Sequence, residues 1–463
     1  MTAMYSGVGL LYLLTFYPLI NVGYTTNDET HIYYYFSYSL AHLYQEILNS
    51  IRLGVSVFYG STRPNPSILL NFPLFSLVIA SYNIPVVMRL LSILLQGANI
   101  ILFGWLLARI FSSAEAAILG ALAAILFIQN SWDHNLLTSY VVHLILFGVG
   151  QASFLLFCRY FDSQDKKLLK WSALLYFLSL SYEVNLVYFP IFFVIALSRA
   201  AAAPSKSAIS REVWSKCKYV AVLVAVYLLV YFYMRYAVNS SVPVDLKPLG
   251  LAGSANNAGY NIAIHPGRIL GMLEVIAATA MAALPGFRFF YNQQFIIKYS
   301  DFPCAPHFNL WCLMRGVKFS WIVRAIAAGG LSYHLLKNIK LKDVRLLGPI
   351  AAVGFYLIFA PGIPLSAVEK YQHLIRSGSF GYINTYHSLF GVVVVFIAAV
   401  LHINRKIEAG RLRAITHKHF HILASILIMA ISIMTDISNN AYTRSQVQSH
   451  CKWESVDRFL ESS

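Results

Sequence analysis

Long apolar runs alternate with short polar turns along most of the chain. A run of about twenty apolar residues is enough for one helical crossing of a bilayer. Apolar runs cover residues 4–22, 85–109, 114–129, 136–161, 171–182, 186–197, 219–237, 319–336, 346–361, 386–403 and 420–437, those at 171–182 and 186–197 being short. The pattern predicts an all-α polytopic membrane protein with about eleven transmembrane helices. Between the first two runs, Phe36, Leu40, Leu43, Ile47 and Ile51 recur at helical spacing, with His42, Gln45, Glu46, Asn49 and Arg52 on the other side. That segment is expected to be an amphipathic helix in a first external loop, 24–66, lying in the membrane interface. Turn formers at 60–66 end it, and 67–80 leads the chain back toward the membrane.

Basic residues then orient the pattern. Arg159, Lys166, Lys167 and Lys170 fill one connector, and Arg199, Lys206, Arg211, Lys216 and Lys218 fill another. Connectors rich in Lys and Arg face the cytoplasm. The acidic turns at Asp28, Asp133 and Glu183 therefore fall together on the opposite side. The same rule applied to Lys337, Lys340, Lys342 and Arg345, and to Arg405, Lys406, Arg411, Arg413 and Lys418, keeps 239–318 external as one large loop. Its apolar stretch 269–284, with Glu274 inside and Pro285-Gly286 at its end, is expected to be re-entrant or interfacial, or to cross twice with a partner segment. A late external loop spans 362–385, and a polar external tail spans 438–463, leaving 1–437 as the transmembrane catalytic domain.

Composition agrees with this reading. Of 463 residues, 58% are hydrophobic and only 12% charged, against about a quarter charged in soluble domains. The net charge of +16 is read as topology, because the basic residues sit in connectors, so no nucleic-acid partner is expected. Residues 4–22 lack a basic leader and a small-residue cleavage site, so they are expected to stay as a membrane helix. Five cysteines are too few for a disulfide framework. Cys304 and Cys312 share the large external loop, where they could be bridged or remain thiols. His417, His419 and His421 follow a basic stretch and are expected to face headgroups. The many tyrosines, Tyr33-Tyr34-Tyr35 among them, fit an interfacial belt.

The chemistry is expected in the first loop, at Asn27-Asp28-Glu29-Thr30-His31. Ionisable groups at a membrane boundary are functional candidates. This motif after the first helix, the amphipathic loop that follows, and the Arg63-Pro64-Asn65-Pro66 turn together resemble the GT-C superfamily of integral membrane glycosyltransferases. They look similar to the start of the aminoarabinose and protein O-mannosyl transferases and of the phage or bacterial O-antigen glucosyltransferases. The resemblance implies transfer of a sugar from a polyprenyl-phosphate donor to a glycan, lipid or protein acceptor, with inversion, on the periplasmic or external face; the external cysteines and the lack of glycosylation logic favour a bacterial inner membrane.

By that resemblance Asp28 is the general base that takes the proton of the attacking hydroxyl, with Glu29 or His31 orienting the acceptor. The lipid phosphate is already a good leaving group, so a second carboxylic acid is not required, unlike in glycosidases. The alternative is that Asp28 and Glu29 cap the amphipathic helix. Asp133 and His134, in the second external turn, and Glu183, in the third, are candidates for contacting donor or acceptor sugar. Asp133 could instead be a solvated turn residue, and Glu183 a hydrogen-bond anchor between helices. A metal is not required, although Mg²⁺ or Mn²⁺ would take oxygen ligands such as Asp28 and Asp133. The donor phosphate needs cations: Arg63 in the first loop, and Lys370, His373 and Arg376 in the late loop, with Arg376 first because arginine grips phosphate bidentately. The same charges could anchor lipid headgroups.

Two other functions use similar chemistry. A flippase or transporter of lipid-linked sugars would need polar groups midway through several spans, whereas the sequence pattern concentrates them at one boundary. A polymerase or ligase of another fold would depend on late-loop Arg and His and not on the first loop.

Overall fold

The computed structural model describes residues 2–22, 85–130, 141–200, 206–233, 266–299, 316–339, 347–376, 384–411 and 416–461. Among them every long element is a helix. In chain order these are α1 (Thr2–Phe16), α2 (Pro85–Phe111), α3 (Ala114–Phe127), α4 (Val141–Ser163), α5 (Lys166–Ser179), α6 (Pro190–Ala200), α7 (Lys206–Tyr233), α8 (Ile269–Ala283), α9 (Phe287–Tyr291), α10 (Gln293–Tyr299), α11 (Phe319–Asn338), α12 (Leu347–Phe359), α13 (Gly362–Ser366), α14 (Glu369–Arg376), α15 (Asn384–Glu408) and α16 (His417–Glu461). Seven described helical segments are long and apolar enough to cross a membrane, and the chain has transmembrane-helix character. The first-loop helix at 36–52, the turn at 63–66 and the Cys304/Cys312 pair lie outside the described residues.

Local chemistry explains where several helices stop. Pro18 follows α1, and the chain tightens there into a 3₁₀ turn, Tyr17–Asn21, so the predicted run 4–22 is not one α-helix. Pro190 cannot donate a backbone hydrogen bond, although Phe189 before it keeps right-handed helical dihedrals (φ -49°, ψ -40°). The predicted helix over 186–197 is accordingly split into a 3₁₀ turn, Glu183–Tyr188, and α6. Ser113 and Asp165 cap α3 and α5 by accepting from the backbone N–H groups of Ala116 and Lys167. The stretch 269–284 forms one continuous helix, α8, and the chain reverses after it at Gly286, whose φ of 82° is the left-handed turn that glycine tolerates. With the 3₁₀ turn Pro266–Arg268, this segment joins the seven. The expected tail 438–463 begins within a long helix. No glycine or proline interrupts 417–461, and α16 runs unbroken to Glu461.

The bundle has two distinct ends. At one, Asp162 at the end of α4 pairs with Arg109 at the end of α2 (2.7 Å) and Arg199 at the end of α6 (3.4 Å), while Lys216 Nζ of α7 donates to Tyr160 Oη. This is the basic face. The other end, the turn face, gathers Val22, Gln129, Tyr182, Leu284 and Asn384. The central helix is α15, which is buried along most of its length. It meets α12 very closely: a Cβ on Gly391 would lie 2.6 Å from the backbone nitrogen of Ile358. Small residues at such a crossing let two backbones approach where apolar surface gives no preference for protein over lipid. His421 is nearly buried, and its Nε2 lies 3.1 Å from Asn404 Oδ1. It is therefore an interhelical group and not a headgroup contact, because α16 turns it toward α15.

Candidate functional site

The polar groups of the turn face are arranged around the place where the chain leaves toward Asn27–His31. Two arginines hold the backbone leading there. Arg89, in the first turns of α2, is fully buried, and its Nε donates to the carbonyl of Val22 at 3.1 Å. Arg324, on α11, donates through Nη1 to the carbonyl of Leu14 at 2.7 Å and pairs through Nη2 with Asp436 of α16 at 3.1 Å. The last carbonyls of α1 have no partner within the helix, and a guanidinium meets both their lone pairs and their partial negative charge. Asp28, Glu29 and His31, like Arg63, lie outside the described residues. Val22, three residues before Thr25, is the nearest described point to the motif.

Beside this clasp, one face of α2 carries Arg89, Ser92, Gln96 and Asn99 into the bundle, all buried. Asn99 donates to Leu144 O of α4 at 3.0 Å, and Gln96 Oε1 accepts from the Tyr386 hydroxyl. Tyr386 and its neighbour His387 stand at the head of α15, where Asn384 also holds Pro361 O at 2.5 Å. His387 is fully buried and meets Tyr188: the Tyr188 hydroxyl lies 3.0 Å from Nδ1 and 3.1 Å from the His387 carbonyl. One hydroxyl proton can serve only one of these contacts. If it goes to the carbonyl, Nδ1 carries the ring proton and donates to the tyrosine oxygen, so both contacts are satisfied and Nε2 keeps its lone pair. Nε2 is buried without a hydrogen-bond partner.

Glu183 stands next to this group. It opens the 3₁₀ turn that carries Tyr188, and Tyr182 before it stacks on His143 with ring centres 4.0 Å apart. In the same turn Asn185, which is buried, donates to Leu146 O and Ser179 O. Glu183 remains half-buried at the rim. The root of the second turn is also tied down. Gln129 accepts from Arg288 N and donates to Leu284 O, while Asn439 accepts from Asn130 N and donates to Ile128 O. Asp133 and His134 themselves fall outside the described residues.

The late loop is described in part. Lys370, His373 and Arg376 recur every third residue on α14, which brings them to one side of it. The side chain of Lys370 is outside the description, and His373 is exposed. Arg376 donates through Nε to Glu274 of α8 at 3.0 Å, with both side chains substantially exposed. The phosphate candidate thus has a carboxylate neighbour from the helix that sequence reasoning left as an interfacial segment. A phosphate would have to share Arg376 with Glu274 or displace it, and an exposed pair of this kind is weak.

Sequence reasoning missed Arg89, Arg324, Asp436 and the Gln96–Tyr386–His387–Tyr188 group. Arg89 and Arg324 were visible as single charges inside apolar runs, which is a functional signal in itself. The tyrosines and His387 carried no signal, since only packing separates them from belt residues. The structure also shows polar groups away from the boundary at which the sequence pattern concentrates them. Asn99 and Gln151 sit about midway along α2 and α4 and are buried. Among the described residues no three His, Cys, Asp or Glu side chains converge to hold a metal, and the suggested ligands Asp28 and Asp133 are outside them. Comparison of the chain with protein-family models, curated proteins and solved structures finds no match.

Proposed function

We propose that the protein is a GT-C-like membrane glycosyltransferase of about eleven crossings, with its turn face external. It would transfer a sugar from a polyprenyl-phosphate carrier to a glycan, lipid or protein acceptor. Asp28 serves as base, Glu29 and His31 orient the acceptor, and the half-buried Glu183 takes sugar hydroxyls. Arg376, with Lys370 and His373, meets the departing phosphate.

The observation that carries this reading is the double arginine clasp. Arg89 and Arg324 hold the backbone at Val22 and Leu14, six and fourteen residues before Asp28. A catalytic carboxylate has to be held to within a fraction of an ångström of its working position, and buried charges are a costly way to hold an arbitrary loop. The test is turnover by the purified Asp28→Asn protein with a polyprenyl-phosphate sugar. A loss of at least about a hundredfold is expected for removal of a general base; wild-type turnover would sink the assignment.

A second reading, transport of a lipid-linked sugar, is favoured by one observation: the buried mid-helix polar groups Asn99 and Gln151. It predicts a hydrated path reaching both faces. Cysteine accessibility along α2 and α4 distinguishes the two, since the transferase needs access from the turn face alone.

A further inference from the structure

At the basic face the ends of α2, α4 and α6 meet at one carboxylate. Asp162 Oδ2 accepts from Arg109 Nη1 at 2.7 Å, and its Oδ1 lies 3.4 Å from Arg199 Nη2. Each arginine spends one nitrogen of its fork there and keeps the other donors of the guanidinium. The two side chains are 49% and 33% exposed, so those donors are open to a ligand. Two residues earlier on α4, Tyr160 meets Lys216 of α7, whose Nζ lies 2.7 Å from the hydroxyl and 5.2 Å from the ring centre. Lys216 is thus held by a phenol and not by a carboxylate. Among the described residues no second acid pairs with these groups. Three cations against one carboxylate leave two positive charges over.

In open water such a surplus would be screened by counter-ions. This cluster instead ends an apolar stripe. Leu94, Ile101 and Trp105 are exposed on α2 and follow one another at spacings of seven and four residues, with Arg109 four residues further on. They therefore share one side of the helix with Arg109. An exposed indole near the end of an apolar helix marks the headgroup level of a bilayer. That puts Arg109, one turn beyond Trp105, at the depth of lipid phosphates. Arginine forks match pairs of phosphate oxygens, and the stripe gives acyl chains a wall to lie against. The surplus charge also discriminates between lipids. It favours a headgroup that carries only the phosphate charge and opposes one that brings its own ammonium group.

We propose that the basic face holds an acidic phospholipid, its phosphodiester bridging Arg109 and Arg199 and its chains lying along Leu94, Ile101 and Trp105. Asp162 sits between the two guanidinium groups and competes with the phosphate for them. The proposal does not rest on the transferase reading. Its basis is the coincidence of two open arginines, an uncompensated charge and a lipid-facing stripe that leads to them.

The test uses the full chain in detergent, with phosphatidylglycerol and phosphatidylcholine of identical chains as probes and native mass spectrometry to read the lipid retained. Wild type is expected to retain phosphatidylglycerol about tenfold better than phosphatidylcholine. Arg109→Gln and Arg199→Gln should each lower phosphatidylglycerol retention about fivefold, the worth of one cation beside an anionic headgroup, with phosphatidylcholine retention unchanged. Asp162→Asn removes the competing charge at constant shape and should raise phosphatidylglycerol retention about fivefold by the same electrostatics, a gain that misfolding could not produce. Lys167→Gln removes an equal charge from an exposed position on the same face, outside the cluster, and should leave retention unchanged. Equal retention of the two lipids by wild type would overturn the proposal, as would unchanged or lower phosphatidylglycerol retention in Asp162→Asn. A loss in Lys167→Gln as large as that in Arg109→Gln would also overturn it, by showing a diffuse surface charge in place of a site.

Discussion

Arg89 and Arg109 sit on the same helix and carry the same charge, but burial gives them different weight. Arg89 is fully buried and holds Val22 O, whereas Arg109 is about half exposed in its pair with Asp162. A hydrogen bond from a buried charged group is worth about 1.5–3 kcal/mol, and losing it leaves the carbonyl unmet. An exposed ion pair is worth under about 1 kcal/mol. Arg89→Met should therefore lower the unfolding free energy in detergent by about 1.5–3 kcal/mol, and Arg109→Met by less than about 1 kcal/mol. Chemical denaturation followed by intrinsic tryptophan fluorescence reads both. If the two variants are equally stable, Arg89 is not a clasp. Residue by residue, the sequence exposed Arg89 as a lone charge in an apolar run. It could not reveal that the partner is a backbone carbonyl, since every residue has one.

At the scale of elements, two contacts decide how the helices meet. The first is the crossing of α12 and α15. Gly391→Ala would place a methyl group 2.6 Å from Ile358 N, 2.7 Å from Gly354 O and 2.7 Å from Leu357 C. All three are backbone atoms, which cannot rotate away as a side chain can. The helices must separate, at an expected cost of about 1–3 kcal/mol for overpacking, read as a lowered melting temperature in detergent. The second is the ion pair between Arg324 and Asp436, whose side chains are 13% and 7% exposed. Removing one partner of a buried pair leaves an uncompensated charge and costs about 3–5 kcal/mol. Arg324→Met and Asp436→Leu should each destabilise by that amount, while the double variant should lose much less than the sum. Additive losses would show that the two groups do not act on each other. Both contacts join segments far apart in the chain, which periodicity cannot report.

At the scale of the whole molecule, the contacts sort helix ends into a basic face and a turn face, and by the charge pattern the basic face is expected to be cytoplasmic. Single cysteines at Lys167 and Tyr291, in a background with all five native cysteines replaced by serine, test this with a membrane-impermeant maleimide. Tyr291 is expected to label from outside in intact cells and Lys167 only after permeabilisation; the reverse result inverts the topology and removes the acid motif from the external face. Helix content and the alternation of basic and acidic turns were set by the sequence alone, because both follow from local properties: hydropathy over about twenty residues and charge in short connectors. Of the acidic turns that the sequence offers as functional candidates, Asp28 and Asp133 lie outside the described residues, and Glu183 is placed at the turn face. Tertiary structure decided the rest. It joined Arg376 to Glu274, set Arg324 against Asp436 and turned His421 inward. In hydrocarbon a polar side chain takes its meaning from its neighbour, and that neighbour is supplied by another helix, at a distance along the chain that no local pattern encodes.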